Sequence, residues 1–374
     1  MRSGIAKITL WSSAITWLSL TSLTVFGFTP PPAATVTFKN WGLSNTSARS
    51  RSHIQAVDAW KISEGSRDVV VAVIDTGVDT THRDLSRNIW HDKTNRNSPV
   101  YGWNFIVNRA NPIDDHGHGT HVAGIIGAVS NPKSGVSGVA HSVSIMAVKY
   151  FSDANSGAVN LANTVKAINY AVDHGAKVIN YSGGGPEFSE EEYLAIKRAE
   201  AHGVLFVAAA GNERQNTDVA QNYYYPSAYR LPNMISVAAT DIQNNLLPSS
   251  NWGKRQVDVA APGENIYSTL PGGRYGYMTG TSQATAFVSG MAALLLAKDP
   301  ALKPAELKAL IMASVDKIPQ LANKLATGGR GNAYHALLAL ADKGRLSPAR
   351  STEFLTRRPV SLMKQFVEAP GFGD

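Results

Sequence analysis

The run VVVAVIDTG, residues 69–77, is the clearest indication of the fold class. Its apolar residues form a continuous run, which is typical of a strand buried on both faces in a parallel sheet. Asp75 ends the run, and the functional groups of open α/β sheets collect at this carboxyl edge of the strands. An aspartate after a strand is also a common turn former. Asp75 is therefore a candidate functional residue with a plain structural alternative.

Strand and helix patterns alternate through the middle of the chain. Strands are predicted at 143–150, 177–181 and 204–210, and helices at 159–174 and 190–202. Strands that alternate with helices predict a parallel sheet joined by right-handed crossovers. The predicted fold class is therefore α/β, with a doubly wound, mostly parallel sheet and helices on both of its faces.

A second segment, GTSQATAFVSG at 280–290, runs from a loop into an apolar helical pattern. The pattern places Ser282 where the loop becomes the first turn of a buried helix. A hydroxyl there lies beside unpaired backbone N–H groups and the positive end of the helix dipole, where a developing oxyanion is stabilised. The alternative is that Ser282 only caps the helix, because serine is among the preferred N-cap residues.

The segment DDHGHGTHVAG at 114–124 places three histidines within six positions at a predicted helix start. One of them can serve as the base that activates a serine nucleophile. The His116-x-His118 pair is also a potential zinc site if Asp114 or His121 supplies a further ligand. No second ligand cluster follows downstream, which disfavours zinc. A histidine on this helix can also be an ordinary buried, hydrogen-bonded residue.

A glycine run at 183–185 follows the predicted strand 177–181, and Asn212 follows the strand at 204–210. The run is not a dinucleotide-binding fingerprint, because its spacing is wrong and the downstream acidic residue is missing. An extended edge with few side chains suits pairing with a peptide backbone. Asn212, taken alone, reads as a turn residue that ends a strand.

Composition narrows the possible classes of protein. The chain has 374 residues, of which 44% are hydrophobic and 17% charged, so it can bury a large core. The formal net charge is +7, but the basic residues are scattered and no aromatic-basic motif accompanies them, which argues against nucleic acid as a partner. Cysteine is absent, so disulfides, thiolate metal sites and a cysteine nucleophile are excluded.

The N-terminus has the pattern of a targeting segment. Two basic residues precede an uncharged run at 8–28, and PPPAA follows at 30–34. Many serines and threonines in the run favour a cleaved signal peptide over a permanent anchor, although the run is long enough to span a bilayer. We therefore predict a signal peptide and linker at 1–34, one domain at 35–341 with an N-terminal arm, and an irregular tail at 342–374.

Asp75, His118, Asn212 and Ser282 are all predicted to lie at one side of the sheet. Serine chemistry needs a base for the hydroxyl, a carboxylate that orients the base, and a donor for the oxyanion. The chain order Asp, His, Ser is that of the subtilisin triad. The blocks VIDTGVD, HGTHVAG, AAAGN and GTSQATAFVSG resemble, in this order, the signature blocks of the subtilisin-like serine peptidases. The resemblance covers about residues 66–338 and implies the subtilisin-like three-layer fold.

The resemblance also assigns roles. It implies that Ser282 is the nucleophile, that His118 is the general base and that Asp75 orients it. The side-chain amide of Asn212 would join the Ser282 backbone N–H in the oxyanion hole. The substrate-binding positions that it implies are two backbone segments and one pocket residue: Ser182, Gly183 and Gly184; Ala209, Ala210 and Gly211; and Tyr224 at the floor of the S1 pocket.

Cofactors and partners follow from the same resemblance. The chemistry requires no cofactor, while Asp84 and Asn131 match two side-chain positions of the family's strong calcium site, in a loop one residue longer here. The predicted function is a monomeric serine endopeptidase, either secreted or located in the periplasm or at the cell surface. It acts on proteins or peptides, without stable membrane association after signal cleavage. An inactive binding module and a zinc hydrolase are the alternatives. No recognisable prosegment precedes Trp41, which leaves the activation route open.

Overall fold

The computed structural model describes residues 38–44, 51–94 and 100–345. Its helices and strands alternate along most of the chain. The strands are β1 (Gly65–Asp75), β2 (Gly102–Asn104), β3 (Ser142–Lys149), β4 (Val178–Tyr181), β5 (Leu205–Ala209), β6 (Met234–Thr240), β7 (Val259–Pro262), β8 (Ile266–Leu270), β9 (Arg274–Met278), β10 (Asp316–Lys317) and β11 (Gly329–Arg330). The helices are α1 (Ala56–Ala59), α2 (His118–Gly127), α3 (Gly157–Asp173), α4 (Glu190–Ala201), α5 (Thr281–Lys298), α6 (Pro304–Ala313) and α7 (Ala333–Arg345).

Within these residues one nine-stranded sheet has the order β10-β11-β7-β6-β5-β4-β1-β3-β2. Every neighbouring pair is parallel except β10–β11 at the edge. The strand order reverses on either side of β1, as in a doubly wound sheet. The predicted α/β fold class is confirmed.

Alternate residues of β1 enter two different cores, because successive side chains of a strand point to opposite faces. Val71 and Val73 belong to the core cluster that includes residues of α2, α5 and α6. Ala72 and Ile74 belong to the cluster that includes residues of α3 and α4. Helices therefore cover both faces of the sheet, which gives the three layers that were predicted.

A small antiparallel hairpin, β8–β9, stands apart from the main sheet and was not predicted. It packs against α2, where the ring of the buried His121 lies 3.0 Å from the Ile266 carbonyl oxygen. The hairpin therefore forms part of the wall around the helix that begins at His118.

The predicted signal peptide and the predicted tail are at the two ends of the chain. The signal peptide and linker at 1–34 lie outside the described residues, and so does the tail beyond residue 345. The boundaries proposed for the three segments stay predictions. Among the residues that are described, no helix is both long enough and apolar enough to cross a membrane.

Candidate active site

The Asp75 carboxylate and the His118 ring meet at the carboxyl edge of the sheet. Asp75 is the last residue of β1 and is buried, and His118 is the first residue of α2. His118 Nδ1 lies 2.7 Å from Asp75 Oδ1, which also accepts the Thr76 backbone N–H at 2.8 Å. A carboxylate only accepts, so this contact places the proton of a neutral imidazole on Nδ1. The Nε2 lone pair is then free to take a proton from a nucleophile.

Electrostatics make His118 a stronger base than an ordinary histidine. Burial alone lowers the pKa of His118, but the negative charges of Asp75 and of the more distant Asp114 raise it above its ordinary value of 6.5. The imidazolium that forms when the ring accepts a proton is thus stabilised where it is needed. The side chain is still 24% exposed, which keeps the ring open to a substrate.

A close approach of two backbone segments makes the Asp75–His118 contact feasible. A Cβ added at Gly119 would lie 2.1 Å from the Gly77 carbonyl oxygen and 3.1 Å from the Cβ of Asp75. Any side chain at position 119 would therefore push the start of α2 away from the end of β1. The glycine of the HGTH block is a packing requirement for the pair.

Ser282 lies in the first turn of α5 and is buried. The helix is capped by Gly280 without a side-chain hydrogen bond, so Ser282 does not act as the N-cap. Its hydroxyl donates at 3.3 Å to the backbone carbonyl oxygen of Ser182, the residue after β4. Within the described residues no hydrogen bond joins Ser282 Oγ to His118 Nε2. The structure thus brings Ser282 to the predicted substrate strand, with its hydroxyl turned toward that strand.

Asn212 is held beside the nucleophile by its amide oxygen. Its Oδ1 accepts the backbone N–H of Thr281 at 3.0 Å and the Thr281 hydroxyl at 3.2 Å. With the oxygen engaged, the Nδ2 amide is the part of the side chain left to donate. Thr281 was not recognised from the sequence as a positioning residue. The hydroxyl in the GTS segment, next to the candidate nucleophile, was the available signal.

The backbone segments assigned to substrate binding lie around the ring of Tyr224. A Cβ added at Gly184 would lie 2.4 Å from Tyr224 Cε1, and one added at Gly211 would lie 3.0 Å from Cε2. Gly185 and Tyr225 exchange two backbone hydrogen bonds, of 2.9 and 2.7 Å, which tie the glycine run to the tyrosine segment. Burial raises the pKa of Tyr224, and nearby acidic residues raise it further, so the phenol stays neutral. The aromatic ring thus occupies the space between the glycines of the two segments.

The three histidines of the 114–124 segment do not converge. His121 is buried against backbone carbonyl oxygens of the β8–β9 hairpin, and burial lowers its pKa to about 4. The ring centroids of His116 and His118 lie 6.3 Å apart, while His118 contacts Asp75. In the described parts of the chain, no three His, Cys, Asp or Glu side chains form a group that could hold a metal ion. The geometry therefore does not favour the zinc site.

Asp84 and Asn131, the predicted calcium ligands, bind each other. Asn131 Nδ2 donates to Asp84 Oδ1 at 2.8 Å, while Ser134 Oγ and the Tyr275 hydroxyl donate to Asp84 Oδ2 at 3.1 and 2.6 Å. Asn131 Oδ1 accepts the Lys133 backbone N–H at 3.0 Å. Calcium takes oxygen ligands, and here each carboxylate oxygen of Asp84 accepts at least one protein donor. The calcium site stays a prediction.

Lys149 is a further residue that the sequence did not single out. It ends β3 opposite Asp75, and its buried ammonium donates to the Thr76 carbonyl oxygen and to Asp115 Oδ1, each at 2.7 Å. A buried ammonium needs such partners. Lys149 thereby fastens the turn after β1 to the loop that precedes His118.

A doubly wound sheet with aspartate, histidine and serine in this chain order at one edge is the arrangement of a serine hydrolase. A sequence model of the subtilase family matches residues 66–335. The chain belongs to this family, the subtilisin-like serine peptidases, and is a serine-type endopeptidase.

Individual relatives agree with this membership. The chain is 40% identical to thermitase of Thermoactinomyces vulgaris over 284 residues, which are 76% of this chain and 93% of that protein. It is 39% identical to subtilisin E of Bacillus subtilis over 242 residues, which are 64% of this chain and 58% of that protein. A solved cold-adapted subtilisin-like serine proteinase matches with a TM-score of 0.59 and 31% identity, over 69% of this chain and 88% of that one.

Proposed function

We propose that the chain hydrolyses peptide bonds with Ser282 as nucleophile, His118 as general base and Asp75 as the carboxylate that orients it. The observation that carries the proposal is the 2.7 Å contact between His118 Nδ1 and Asp75 Oδ1 at the carboxyl edge of the sheet. It supplies an imidazole with the correct tautomer and a raised pKa.

The proposed reaction has two halves. The Ser282 hydroxyl turns from the Ser182 carbonyl oxygen to His118 Nε2, loses its proton there and attacks the scissile carbonyl carbon. His118 passes that proton to the leaving amine as the C–N bond breaks, which leaves an acyl-enzyme. Water then repeats the sequence and releases the acid. The Asn212 amide and the Ser282 backbone N–H would stabilise the oxyanion in both halves.

We further propose where the chain acts and on what. The edge at Ser182–Gly184, half-buried at Ser182 and Gly183 and exposed at Gly184, would pair with an extended peptide, so the substrates are proteins or peptides. The buried segment Ala209–Gly211 would form the wall of the S1 pocket together with that edge. The chain would be exported by way of residues 1–34 and act as a monomer. The names of its relatives do not decide the compartment, because one of them is the major intracellular serine protease of Bacillus subtilis.

A fluorophosphonate tested against a chelator checks the proposed chemistry. We expect stoichiometric fluorophosphonate labelling of Ser282, found by peptide mass mapping, with loss of hydrolysis of a chromogenic peptide. EDTA in a short assay should leave the rate unchanged, because no step passes through a metal. Loss of activity in EDTA combined with no labelling of Ser282 would favour the zinc hydrolase. No labelling of the serine together with no hydrolysis of any peptide, with or without EDTA, would favour the inactive binding module.

Tyr224 provides a prediction about cleavage preference. Its ring fills space between Gly184 and Gly211, so we expect small P1 residues to be preferred over large aromatic ones. Tyr224→Gly should raise kcat/KM for a large P1 residue relative to a small one by about 10-fold or more, the scale of discrimination that pocket volume provides. A peptide library that varies P1 measures this ratio.

Tyr223→Gly is the matched control, since the Tyr223 ring packs edge-on against Tyr225. It should leave the P1 ratio unchanged. If Tyr224→Gly has the same P1 profile as the unmodified protein, Tyr224 does not line the pocket.

A further inference from the structure

The Asp114 carboxylate accepts five hydrogen bonds, although the proposed reaction gives this residue no role. It is buried, four residues before His118. Its Oδ1 accepts the Thr76 hydroxyl at 2.9 Å and the backbone N–H groups of His116 and Gly117 at 3.0 and 2.8 Å. Its Oδ2 accepts both the backbone N–H and the hydroxyl of Thr120, at 2.9 and 2.6 Å.

These bonds give acceptors to backbone N–H groups at the start of α2, the helix that carries His118. The N-cap of α2 is Gly117, at φ 104°, which has no side chain to cap the helix. The first N–H groups of a helix have no partners within it, and Asp114 accepts three backbone N–H groups around this start, those of His116, Gly117 and Thr120. A carboxylate at this end is also favoured by the helix dipole.

Two threonine hydroxyls extend the network to the strand that carries Asp75. The Thr76 hydroxyl donates to Asp114 and accepts the Gly119 N–H at 2.9 Å. The Thr120 hydroxyl donates to Asp114 and accepts the Asp79 N–H at 2.9 Å. Each hydroxyl has one proton to donate, and in both cases it donates the hydrogen bond to Asp114, because a carboxylate only accepts. One side chain thus sets the direction of both hydroxyls.

The hydrogen bonds of this network stabilise the ionised form of Asp114. Burial alone raises the pKa of Asp114, but the hydrogen bonds from Gly117, Thr120 and Thr76 outweigh burial and keep the pKa below its ordinary value. The side chain is therefore charged wherever His118 titrates, and its charge adds to that of Asp75.

We infer that Asp114 is a positioning residue of this peptidase, which fixes the start of α2 against the end of β1 so that His118 and Asp75 stay in register. The inference rests on the proposed roles of His118 and Asp75. Asp114 is hydrogen-bonded neither to Ser282 Oγ nor to His118 Nε2. It acts through the Thr76 and Thr120 hydroxyls and the backbone around Gly117.

The pH profile gives a readout that a merely structural role would not move. Activity requires neutral His118, so kcat/KM falls as the pH drops through the pKa of His118. Removing the Asp114 charge lowers that pKa, and the acid limb should therefore move to lower pH. The other titratable or charged side chains around the ring and its loop stay in place: Asp75, Asp79, Asp115, His116, His121 and Lys149.

Asp114→Asn tests the inference, because the amide keeps the shape but has only one oxygen for donors on two sides. We expect kcat to fall about 10- to 100-fold, the scale of loss for a misplaced catalytic group, with KM nearly unchanged. The acid limb should shift to lower pH. Asp342→Asn removes the same charge at an exposed position of α7, outside this network, and should retain the parental kcat and acid limb.

Thr76→Val and Thr76→Ser give a second test that keeps the charge of Asp114. Valine should lower kcat and serine should restore it. The inference is overturned if Asp114→Asn folds with a parental kcat and acid limb, or, where that variant does not fold, if Thr76→Val has the parental kcat. Full activity of Ser282→Ala would instead overturn the proposed function, whatever Asp114→Asn does.

Discussion

Ser282→Ala should abolish peptide hydrolysis and leave the fold intact. The substitution removes the nucleophile, and we expect a loss in kcat of about 10⁶-fold, a magnitude measured on subtilisin of the same family. The cost to stability should be small, because the hydroxyl makes a single 3.3 Å hydrogen bond and does not cap α5. Turnover of a chromogenic peptide and thermal unfolding of the same sample measure the two effects. A purified variant with the parental turnover would end the assignment of the nucleophile.

Two histidine variants form a matched pair for the same assignment. His118→Ala should be nearly as inactive as Ser282→Ala, since residues that act as a unit lose their effect together. His116→Ala should be mild, because Asp114 accepts the backbone N–H of His116 and the side chain is exposed. An equally large loss of activity in both variants would favour a metal ion bound by His116 and His118.

Asn212→Ala should lower kcat by about 10²–10³ with little change in KM, the loss known from subtilisin for one oxyanion-hole donor. Asn212 is suited to this role because Thr281 donates two hydrogen bonds to its Oδ1, which leaves the Nδ2 group to donate to the oxyanion. An interaction made only in the transition state affects kcat and kcat/KM equally. Steady-state kinetics on one peptide substrate separate these parameters.

Asn212→Asp is the control for shape. It keeps an oxygen that accepts the Thr281 N–H and replaces the donor with a second acceptor, so its loss should be at least as large as that of Asn212→Ala. If both variants turn over substrate at the parental rate, the oxyanion is stabilised by other groups.

Local sequence was sufficient for the candidate residues and for four strands of the sheet, β1, β3, β4 and β5, while its strands β2, β6, β7, β10 and β11 were not predicted. A continuous apolar run before Asp75 predicts a strand buried on both faces, and the structure buries Val71 and Val73 on one face and Ala72 and Ile74 on the other. Such patterns are readable because side-chain direction follows the period of the element. The family resemblance then selected among the three histidines, which helical spacing alone does not do.

The tertiary structure decided which side chains meet. Asp75 and His118 are 43 residues apart in sequence, and their 2.7 Å contact depends on how closely α2 approaches β1 at Gly119. Asp114, which the sequence suggested only as a metal ligand, became instead an acceptor for five donors, because its neighbours in space are N–H and hydroxyl groups. Residue type and spacing determine what a side chain can do, while the packing of distant segments determines which partner it has.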